Sequence, residues 1–531
     1  MRRVLIVSPL FPPDAQVGAK RPLRFVRHLR DHGWEPVVLC LPRPLAMNAD
    51  DDLGDALPEG VEVFRDYAGG LSWKLWSYVQ GLGEHALGRG MEGAARAGRR
   101  GGAGRSGANG GNGGAVFGPG AGEGGGEVDA GGSNGHGGGA HPFSATAGGE
   151  AEAQARAAAL LAALPGEGWA PERARSVLGY TLLKEAERIG WSLWPFDQCA
   201  PWVPHAVRAA RRIVRPRRVD AVLAIGDPFS AFFVGAALKR SLGLPLVLDL
   251  RDPWTIDPAW FSKKVAPLRR LESFVERSLF GLADGVVLNT REALRAYRNL
   301  YPELAGQMDC IPNGFDRSLF RPAPAVVRGG PFTLLHFGNV FGGRSVTPIL
   351  RAARRLIDAG ELSATDFRLV VRGELDVSDA LAAQSLGLRA CVEVRAYRPY
   401  REAMIELRAA DVLVALEARD LTLQIPAKVY DYLCAERPIL SVGQPGEASD
   451  LIERLGVGMH FRPEDEAGIA AALARWLQNR HAPFGGRRGI AGEPREPARD
   501  PAREIDEYDA PRQTAHLAAA LERAVASAAL R

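Results

Sequence analysis

The amino-acid sequence predicts an α/β protein with two doubly wound parallel sheets. Its 531 residues exceed what one hydrophobic core accommodates, so two domains are expected. Short runs of apolar, β-branched residues alternate with helical patterns, as in a parallel sheet covered by helices. The alternation stops and then starts again near residue 330, so each half of the chain is expected to form its own Rossmann-like domain.

The predicted elements follow from these runs. In the first half, a helix over 20–33 follows an opening strand, and the strands are expected at 4–8, 36–41, 61–64, 221–225, 246–250 and 285–288. In the second half, strands are expected at 332–336, 368–371, 391–394, 412–416 and 439–442. The predicted domains are an N-terminal domain over 1–311, a C-terminal domain over 312–500, and a tail over 501–531 that ends in a helix at 514–529.

Residues 98–150 interrupt the first domain with a stretch of Gly, Ala, Ser and Asn. Such a segment has no apolar surface with which to offset the entropy of ordering it. We therefore predict a disordered insertion that carries no catalytic residue.

Composition excludes several classes of protein. A net charge of +4 gives no reason to expect a nucleic-acid partner. The cysteines are few, far apart and without a CxxC, so neither a disulfide framework nor a zinc site is predicted. The apolar run of residues 4–7 is too short for a signal peptide, and no stretch is long enough to span a membrane. A cytoplasmic enzyme is expected, which is compatible with a position on the inner face of the membrane.

Two segments of the first half have the residue types of a binding site. The opening strand ends in a loop from Ser8 to Gly18, at the edge where open α/β sheets bind ligands, but it lacks the GxGxxG of a dinucleotide site. An ordinary connecting loop is the alternative. The run Leu248-Asp-Leu-Arg-Asp-Pro-Trp254 places two carboxylates and an arginine at the end of a buried strand, where charges are paired or functional. A purely structural Arg–Asp pair is the alternative there.

Two segments of the second half favour an anionic ligand. Gly338 to Ser345 follows a strand directly, so small residues would let backbone amides approach an anion while Arg344 donates to it. A simple glycine turn is the alternative. Pro426 suits the first position of a helix whose N-terminus, with Lys428, would hold a diphosphate. Asp431 is expected on the same helix face as Lys428, and a surface ion pair between them is the alternative.

These residues carry a resemblance to glycosyltransferase family 4. The matching segments occur in the family's order: the Pro-Pro loop with Gly18, Leu250-Arg-Asp-Pro-Trp254, Ile311-Pro-Asn-Gly-Phe-Asp316, His336-Phe-Gly-Asn-Val-Phe-Gly-Gly-Arg344, and Ile425-Pro-Ala-Lys-Val-Tyr-Asp-Tyr-Leu433 followed by Arg437-Pro-Ile-Leu440. The resemblance implies a GT-B fold, in which two Rossmann-like domains face each other across a cleft. It also implies that the acceptor binds the first domain and the donor nucleotide the second. Transfer retains the anomeric configuration without a metal, and the final helix crosses back onto the first domain.

The resemblance also assigns roles to individual residues. Gly18 lies on the loop that faces the reacting sugar, Lys428 lies near the diphosphate, and Asp431 takes the place of a glutamate that binds the ribose. The predicted donor-binding residues are Gly18, Gly338, Asn339, Arg344, Lys428 and Asp431. The predicted catalytic residues are Asp252, which would orient or deprotonate the acceptor hydroxyl, and its partner Arg251. No cofactor is expected, because the nucleotide sugar is itself a substrate.

The sequence departs from the family's pattern at three positions. Leu423 occupies the place of a first glutamate, the second glutamate is shortened to Asp431, and Glu436 stands where a glycine is usual. These changes bear on recognition of the sugar ring. The sequence favours a retaining glycosyltransferase that acts in polysaccharide or glycolipid synthesis at the cell surface. A nucleotide-sugar epimerase of the same fold and a non-catalytic, nucleotide-sugar-binding subunit are the alternatives.

A lipid-linked acceptor at an anionic membrane surface is predicted from the first domain. Tryptophan and tyrosine recur in residues 71–79 and 177–194, and these side chains favour the headgroup region of a bilayer. A basic cluster follows, formed by Arg208, Arg211, Arg212, Arg215, Arg217 and Arg218. The alternative is that the tryptophans are core residues and the arginines line the exposed end of a helix, where cations are favoured.

Overall fold

A computed structural model describes residues 1–42, 50–66, 196–257, 261–319, 330–340, 343–418, 423–480 and 501–530. The predicted insertion at 98–150 lies outside the described residues. So do the aromatic segments at 71–79 and 177–194.

The first sheet contains seven parallel strands in the order β3-β2-β1-β4-β5-β6-β7. Its strands are β1 (Arg2–Val7), β2 (Trp34–Cys40), β3 (Glu62–Arg65), β4 (Ala221–Gly226), β5 (Leu246–Leu250), β6 (Gly285–Leu288) and β7 (Met308–Cys310). Strands β4 and β5 are buried along their whole length, which explains why β4 has a continuous apolar run and not an alternating one.

Helices cover both faces of this sheet. The helices of the first half are α1 (Val17–His28), α2 (Asp51–Asp55), α3 (Val203–Arg217), α4 (Ser230–Leu242), α5 (Ala266–Leu282) and α6 (Arg291–Leu300). Helices α3, α4 and α5 pack on one face through residues such as Ile213, Phe232 and Phe280. Helix α1 packs on the other face through Phe25 and Val26.

The second sheet contains six parallel strands in the order β10-β9-β8-β11-β12-β13. Its strands are β8 (Phe332–Phe337), β9 (Phe367–Arg372), β10 (Val392–Arg395), β11 (Val412–Leu416), β12 (Ile439–Val442) and β13 (Gly458–Phe461). The remaining helices are α7 (Thr347–Asp358), α8 (Val377–Ser385), α9 (Tyr400–Ala409), α10 (Ala427–Ala435), α11 (Glu447–Arg454), α12 (Glu466–Gln478), α13 (Pro501–Asp506) and α14 (Ala510–Leu530).

Helix α14 returns to the first sheet, where Leu517 and Leu521 join the core on the face covered by α1. The returning chain crosses the segment between the two sheets. The Phe315 backbone N–H donates to the Tyr508 carbonyl at 3.0 Å, and a Cβ on Gly314 would lie 2.0 Å from that carbonyl oxygen. Glycine is therefore required at this crossing, because no side chain fits against the passing backbone.

The sequence did not predict β7 and β13, the short strands at the edges of the two sheets. Met308–Cys310 and Gly458–Phe461 are only partly buried and contain polar residues, so they lack the apolar run by which the inner strands were identified. No helix among the described residues has the length and apolar character needed to cross a bilayer.

Candidate active site

In each sheet, successive strands are added first on one side of the opening strand and then on its other side, so the strand order changes direction between two neighbouring strands. In the first sheet these strands are β1 and β4, and in the second they are β8 and β11. Ligands of open α/β sheets bind outside the carboxyl ends of the strands at such points. The predicted residues follow the carboxyl ends of strands at or next to these points: Gly18 after β1, Arg251 and Asp252 after β5, Gly338 and Asn339 after β8, and Lys428 after β11.

At the first sheet, Arg251 lies between two carboxylates. Its Nη2 is 3.0 Å from Asp227 Oδ2 and 3.1 Å from Asp252 Oδ2. The Arg251 side chain is 13% exposed, whereas those of Asp252 and Asp227 are 32% and 44% exposed. Burial opposes the charge of Arg251, but Asp252, Asp227 and Asp249 together raise its pKa above the ordinary value. A fixed guanidinium therefore orients two carboxylates that remain open to solvent.

Gly18 packs directly against this arginine. A Cβ at this position would lie 2.5 Å from Leu10 Cδ1 and 3.2 Å from Arg251 Cζ. The helix α1 can approach the Arg251 loop this closely only because residue 18 has no side chain. The structure thus places Gly18, predicted as a donor-binding residue, beside Arg251, predicted as a catalytic residue, at the edge of the first sheet.

Asp249, the other carboxylate of the same sequence run, does not join this group. It is completely buried, and Arg21 of α1 binds it through Nε and Nη2 at 2.7 Å each. Arg21 also donates to the carbonyls of Ile311 and Pro312, both at 2.9 Å. The Arg–Asp pair considered from the sequence forms between Arg251 and Asp252, whereas Asp249 pairs with Arg21 and ties α1 to the segment that leaves the first sheet.

At the second sheet, Lys428 lies against His336 and Gly338. Lys428 Nζ is 3.2 Å from His336 Nε2, and His336 Nδ1 is 2.9 Å from the Val414 carbonyl. The carbonyl can only accept, so Nδ1 carries the proton and Nε2 accepts from the lysine. A Cβ on Gly338 would lie 2.8 Å from Lys428 Nζ, and the residue has a φ of +120°, which glycine adopts without strain.

Positive charge accumulates at this edge. Burial, followed by the charge of Arg344, lowers the pKa of Lys428 to about 7. Burial, followed by Lys428, lowers the pKa of His336 well below its usual value, so the imidazole is neutral. Pro426 occupies the N-cap position of α10, directly before the first helical position for which it was predicted, and the N-terminus of α10 adds its partial positive charge beside Lys428. The arrangement suits an anion, whose charge would restore the protonated form of the lysine.

Asn339 and Arg344 lie in the loop after β8. The Asn339 Oδ1 accepts from the Glu374 backbone N–H at 2.9 Å, and a Cβ on Gly373 would clash with the same oxygen at 2.7 Å. Asn339 therefore holds the neighbouring loop in place. Arg344 is half-buried, and burial lowers its pKa while leaving it a cation at neutral pH.

The structure corrects the expectation for Asp431. Its side chain is 4% exposed and lies away from Lys428, so the surface ion pair considered from the sequence does not form. Its Oδ1 accepts from the Tyr400 hydroxyl at 2.6 Å, and its Oδ2 lies 3.4 Å from Lys20 Nζ on the first domain's α1. Residues three apart on a helix differ in direction by about 60°, which is enough to turn Asp431 to the domain interface while Lys428 faces the strand ends.

Three residues of this region were missed from the sequence as site residues. His336 interrupts the apolar run of β8, and Asp227 ends the apolar run of β4, so both had a visible signal: a polar residue at the end of a buried strand. Lys20 had none, because its contact with Asp431 depends on how the two domains meet.

Comparison with known proteins finds similarity to glycosyltransferases. Residues 157–319 match the model of the family described as Glycosyltransferase Family 4. A probable glycosyltransferase of Pseudomonas aeruginosa, WbjE, is 30% identical over 278 residues, which cover 49% of this chain and 66% of the relative. The D-inositol 3-phosphate glycosyltransferase of Thermomonospora curvata is 27% identical over 139 residues, covering 24% of this chain and 32% of the relative. The chain thus spans just under two thirds of the first relative and about a third of the second.

Among solved structures, sucrose-phosphate synthase from Thermosynechococcus elongatus is similar along its whole length. The TM-score is 0.55 at 12% sequence identity, and the match covers 99% of this chain and 100% of that chain. At this identity the similarity concerns the fold alone. Together with the two parallel sheets, it confirms the prediction of two doubly wound, Rossmann-like domains.

Proposed function

We propose that this chain, which is similar in sequence to family 4 glycosyltransferases and in fold to sucrose-phosphate synthase, transfers a sugar from a nucleotide-diphosphate sugar to an acceptor hydroxyl. The transfer retains the anomeric configuration and uses no metal ion or other cofactor. The observation that carries the proposal is the cationic group formed by Lys428, Arg344 and the N-terminus of α10, with His336 holding Lys428 against Gly338.

The second-domain edge acts on the donor. As the bond between the sugar and the diphosphate breaks, negative charge develops on the leaving oxygen. Lys428 and Arg344 donate hydrogen bonds to the diphosphate, and charge-assisted bonds of this kind are the stronger ones. Because the cations are half-buried and already in place, they stabilise the developing charge without reorganising.

The first-domain edge acts on the acceptor. Arg251 holds Asp252 at 3.1 Å, and the exposed part of the Asp252 carboxylate accepts a hydrogen bond from the acceptor hydroxyl. The carboxylate thereby orients the hydroxyl and receives its proton as the new bond forms. Asp227, on the other side of Arg251, keeps the guanidinium in place.

The two domains already meet around this cleft. The Thr290 Oγ1 donates to the Leu423 carbonyl at 2.7 Å, and the Gln424 Nε2 donates to Asp257 Oδ2 at 2.9 Å. These contacts bring the loop before α10 against the first domain. Closure of this kind excludes water, which strengthens every electrostatic contact in the site and limits hydrolysis of the donor.

The acceptor that suits this account is a saccharide or a lipid-linked glycan at the inner face of the membrane, in polysaccharide or glycolipid synthesis. The support is the row of exposed arginines on the first domain, which is the side assigned to the acceptor.

A donor panel tests the proposal. UDP-, GDP- and ADP-sugars are first screened for a rise in melting temperature, because a ligand that binds only the folded protein stabilises it. The stabilising donor is then incubated with acceptor lipid extract, and nuclear magnetic resonance determines the anomeric configuration of the product. We expect a product with retained configuration that forms only with acceptor. A rearranged nucleotide sugar formed without acceptor would indicate an epimerase, and binding without any product would indicate a non-catalytic subunit.

A further inference from the structure

Helix α3 presents an uninterrupted row of arginines to solvent. Its sequence contains no acidic residue, and Arg208, Arg211, Arg212 and Arg215 are exposed at spacings that place them on one face. Arg212 forms an exposed ion pair with Asp66 at 3.1 Å. Arg208, Arg211 and Arg215 form no ion pair with any of the residues that the structure describes.

Helix α5 adds apolar side chains to the same side of the domain. Phe274 is 70% exposed and Leu271 is 44% exposed, one turn apart on the outer face. Arg270 is exposed beside them, and Arg277, also exposed, pairs with Glu303 at 2.8 Å. An exposed phenylalanine and leucine beside an exposed arginine combine the apolar and cationic residues that a protein surface presents to the interface of a bilayer.

The acidic and basic side chains of α5 lie on opposite faces of the helix. Its two glutamates, Glu272 and Glu276, are completely buried and bind groups inside the protein. Glu272 accepts from Trp254 Nε1 at 3.0 Å, while Glu276 accepts from the Thr255 backbone N–H at 3.0 Å and the Tyr297 hydroxyl at 2.8 Å. The outer face of α5 is therefore cationic and apolar. Its inner face holds the loop that directly follows Arg251 and Asp252.

Helices α3, α4 and α5 form one layer on the first sheet, with α4 between the other two. The arginines of α3 and the Arg270, Leu271 and Phe274 side chains of α5 consequently belong to one surface, here named the basic face. We propose that the basic face docks on an anionic lipid bilayer. The arginines attract the headgroups at long range, and Phe274 and Leu271 enter the boundary between headgroups and acyl chains.

A bilayer fits this surface better than another macromolecule does. Exposed apolar side chains within a cationic face match an interface that is anionic outside and apolar inside. The inference deepens the proposed function, and it rests on that function for the nature of the acceptor. The bilayer would hold α5 and, through Glu272 and Glu276, present the Asp252 loop to a lipid-linked acceptor at a constant height.

Flotation of the full-length protein with vesicles tests the docking. We expect the protein to float at low salt with vesicles of phosphatidylglycerol and phosphatidylcholine, and not with phosphatidylcholine alone. The variant Leu271→Ser/Phe274→Ser should lose flotation. The control Val377→Ser/Ile405→Ser changes two side chains of the second domain that are 47% and 50% exposed, and it should float like wild type.

The contribution of the α3 arginines to vesicle binding is tested with two triple variants that change the net charge equally. Arg208→Gln/Arg211→Gln/Arg215→Gln should weaken vesicle binding on the order of fivefold per arginine and flatten its salt dependence. Arg355→Gln/Arg389→Gln/Arg512→Gln changes three exposed arginines elsewhere and lowers the net charge equally, so it should bind within about twofold of wild type. Equal losses in both triple variants would show that only overall charge matters and would overturn the basic face.

Two further outcomes also contradict the proposal. Wild-type protein that fails to float with anionic vesicles excludes docking. Self-association that disappears in Leu271→Ser/Phe274→Ser, without any flotation, would show that the face joins two copies of this chain. The thermal shift with a nucleoside diphosphate is measured on every variant, because it reports on folding and on the donor site. A missing shift with normal flotation would contradict the proposed function and leave the docking intact.

Discussion

In the first sheet, the loops after β4 and β5 place Asp227 and Asp252 on either side of Arg251, whereas the corresponding edge of the second sheet brings Lys428 and Arg344 together beside a neutral His336. Both edges are formed by parallel strands at the point where the chain direction across the sheet reverses. One edge thus carries two carboxylates around a single cation, and the other carries two cations.

The comparison teaches that topology fixes the place of a site while a few side chains fix its chemistry. A carboxylate held by arginine suits a hydroxyl that must lose a proton. Cations with lowered pKa values suit a leaving group that gains negative charge. If this division is correct, changes at the first edge should alter turnover, and changes at the second should alter donor binding.

The largest effect is expected for Asp252→Asn. The amide keeps the shape but cannot accept the hydroxyl proton, so turnover should fall on the order of a hundredfold or more. Donor affinity should stay within about twofold of wild type, because the proposal assigns diphosphate binding to the second sheet. The control is Asp358→Asn, which alters an exposed carboxylate of α7 that pairs with Arg354. Wild-type turnover in Asp252→Asn would remove this residue from the mechanism.

The affinity for a nucleotide sugar is expected to change by up to about tenfold per pH unit because Lys428 titrates. Its pKa is lowered to about 7 in the ligand-free protein, and a bound diphosphate favours the charged form. Affinity for a nucleotide sugar, whose diphosphate does not titrate near neutrality, should therefore fall as the pH rises above 7. Calorimetry across this range checks the slope.

Lys428→Arg is the control for this slope. A guanidinium stays protonated throughout the range, so the affinity of this variant should not change with pH. Parallel pH profiles for wild type and Lys428→Arg would show that Lys428 does not titrate in the donor site.

A smaller effect is expected for Asp431→Asn, which removes the ion pair between the domains. Lys20 is 12% exposed and would lose its charged partner, so the free energy of unfolding should fall by about 1–3 kcal/mol. The double variant with Lys20→Met should recover part of this loss, and denaturant unfolding measures both. Additive losses in the double variant would show that the two residues do not interact.

The ribose role that the family resemblance gives to Asp431 is tested with a second variant, Asp431→Ala. In the structure the carboxylate is almost fully buried and its oxygens contact Tyr400 and Lys20, so a ribose hydroxyl would have to share one of these oxygens. Unchanged affinity for a nucleoside diphosphate in Asp431→Ala would reject that role.

The smallest effect is expected for removal of residues 98–150. Long surface insertions cost little stability beyond the entropy of loop closure. Turnover, donor affinity and the melting temperature should therefore hardly change. A collapse of the melting temperature would show that the segment belongs to the folded domain.

The inner strands could be predicted from the sequence, because a buried parallel strand reads as an apolar run. Gly285–Leu288, Val412–Leu416 and Ile439–Val442 were predicted with the bounds that the structure shows. Glu436, at the usual position of a glycine after α10, adopts the left-handed conformation with a φ of 55°. The sequence identified this departure, but it could not show that the backbone keeps the glycine-like shape.

Side-chain partners were harder to predict, because they depend on contacts between distant segments. The sequence placed Asp249 beside Arg251, yet Arg21, more than two hundred positions away along the chain, binds Asp249 in the structure. Lys428 and Asp431 were predicted to share a helix face, and the interface between the domains separates them. The sequence motifs identified which residue types lie at the site. The packing of α1 and α10 determines which of their side chains contact each other.

Calorimetry of nucleoside diphosphate binding tests the central claim most directly, with Lys428→Ala and Arg344→Ala compared with Asp252→Asn. Each of the first two variants loses a charge-assisted contact of about 1.5–3 kcal/mol, so affinity should fall roughly 10- to 150-fold. Asp252→Asn should bind like wild type, because it lies at the other edge. Wild-type affinity in both Lys428→Ala and Arg344→Ala, or a comparable loss in Asp252→Asn, would contradict the division of the site between the two domains.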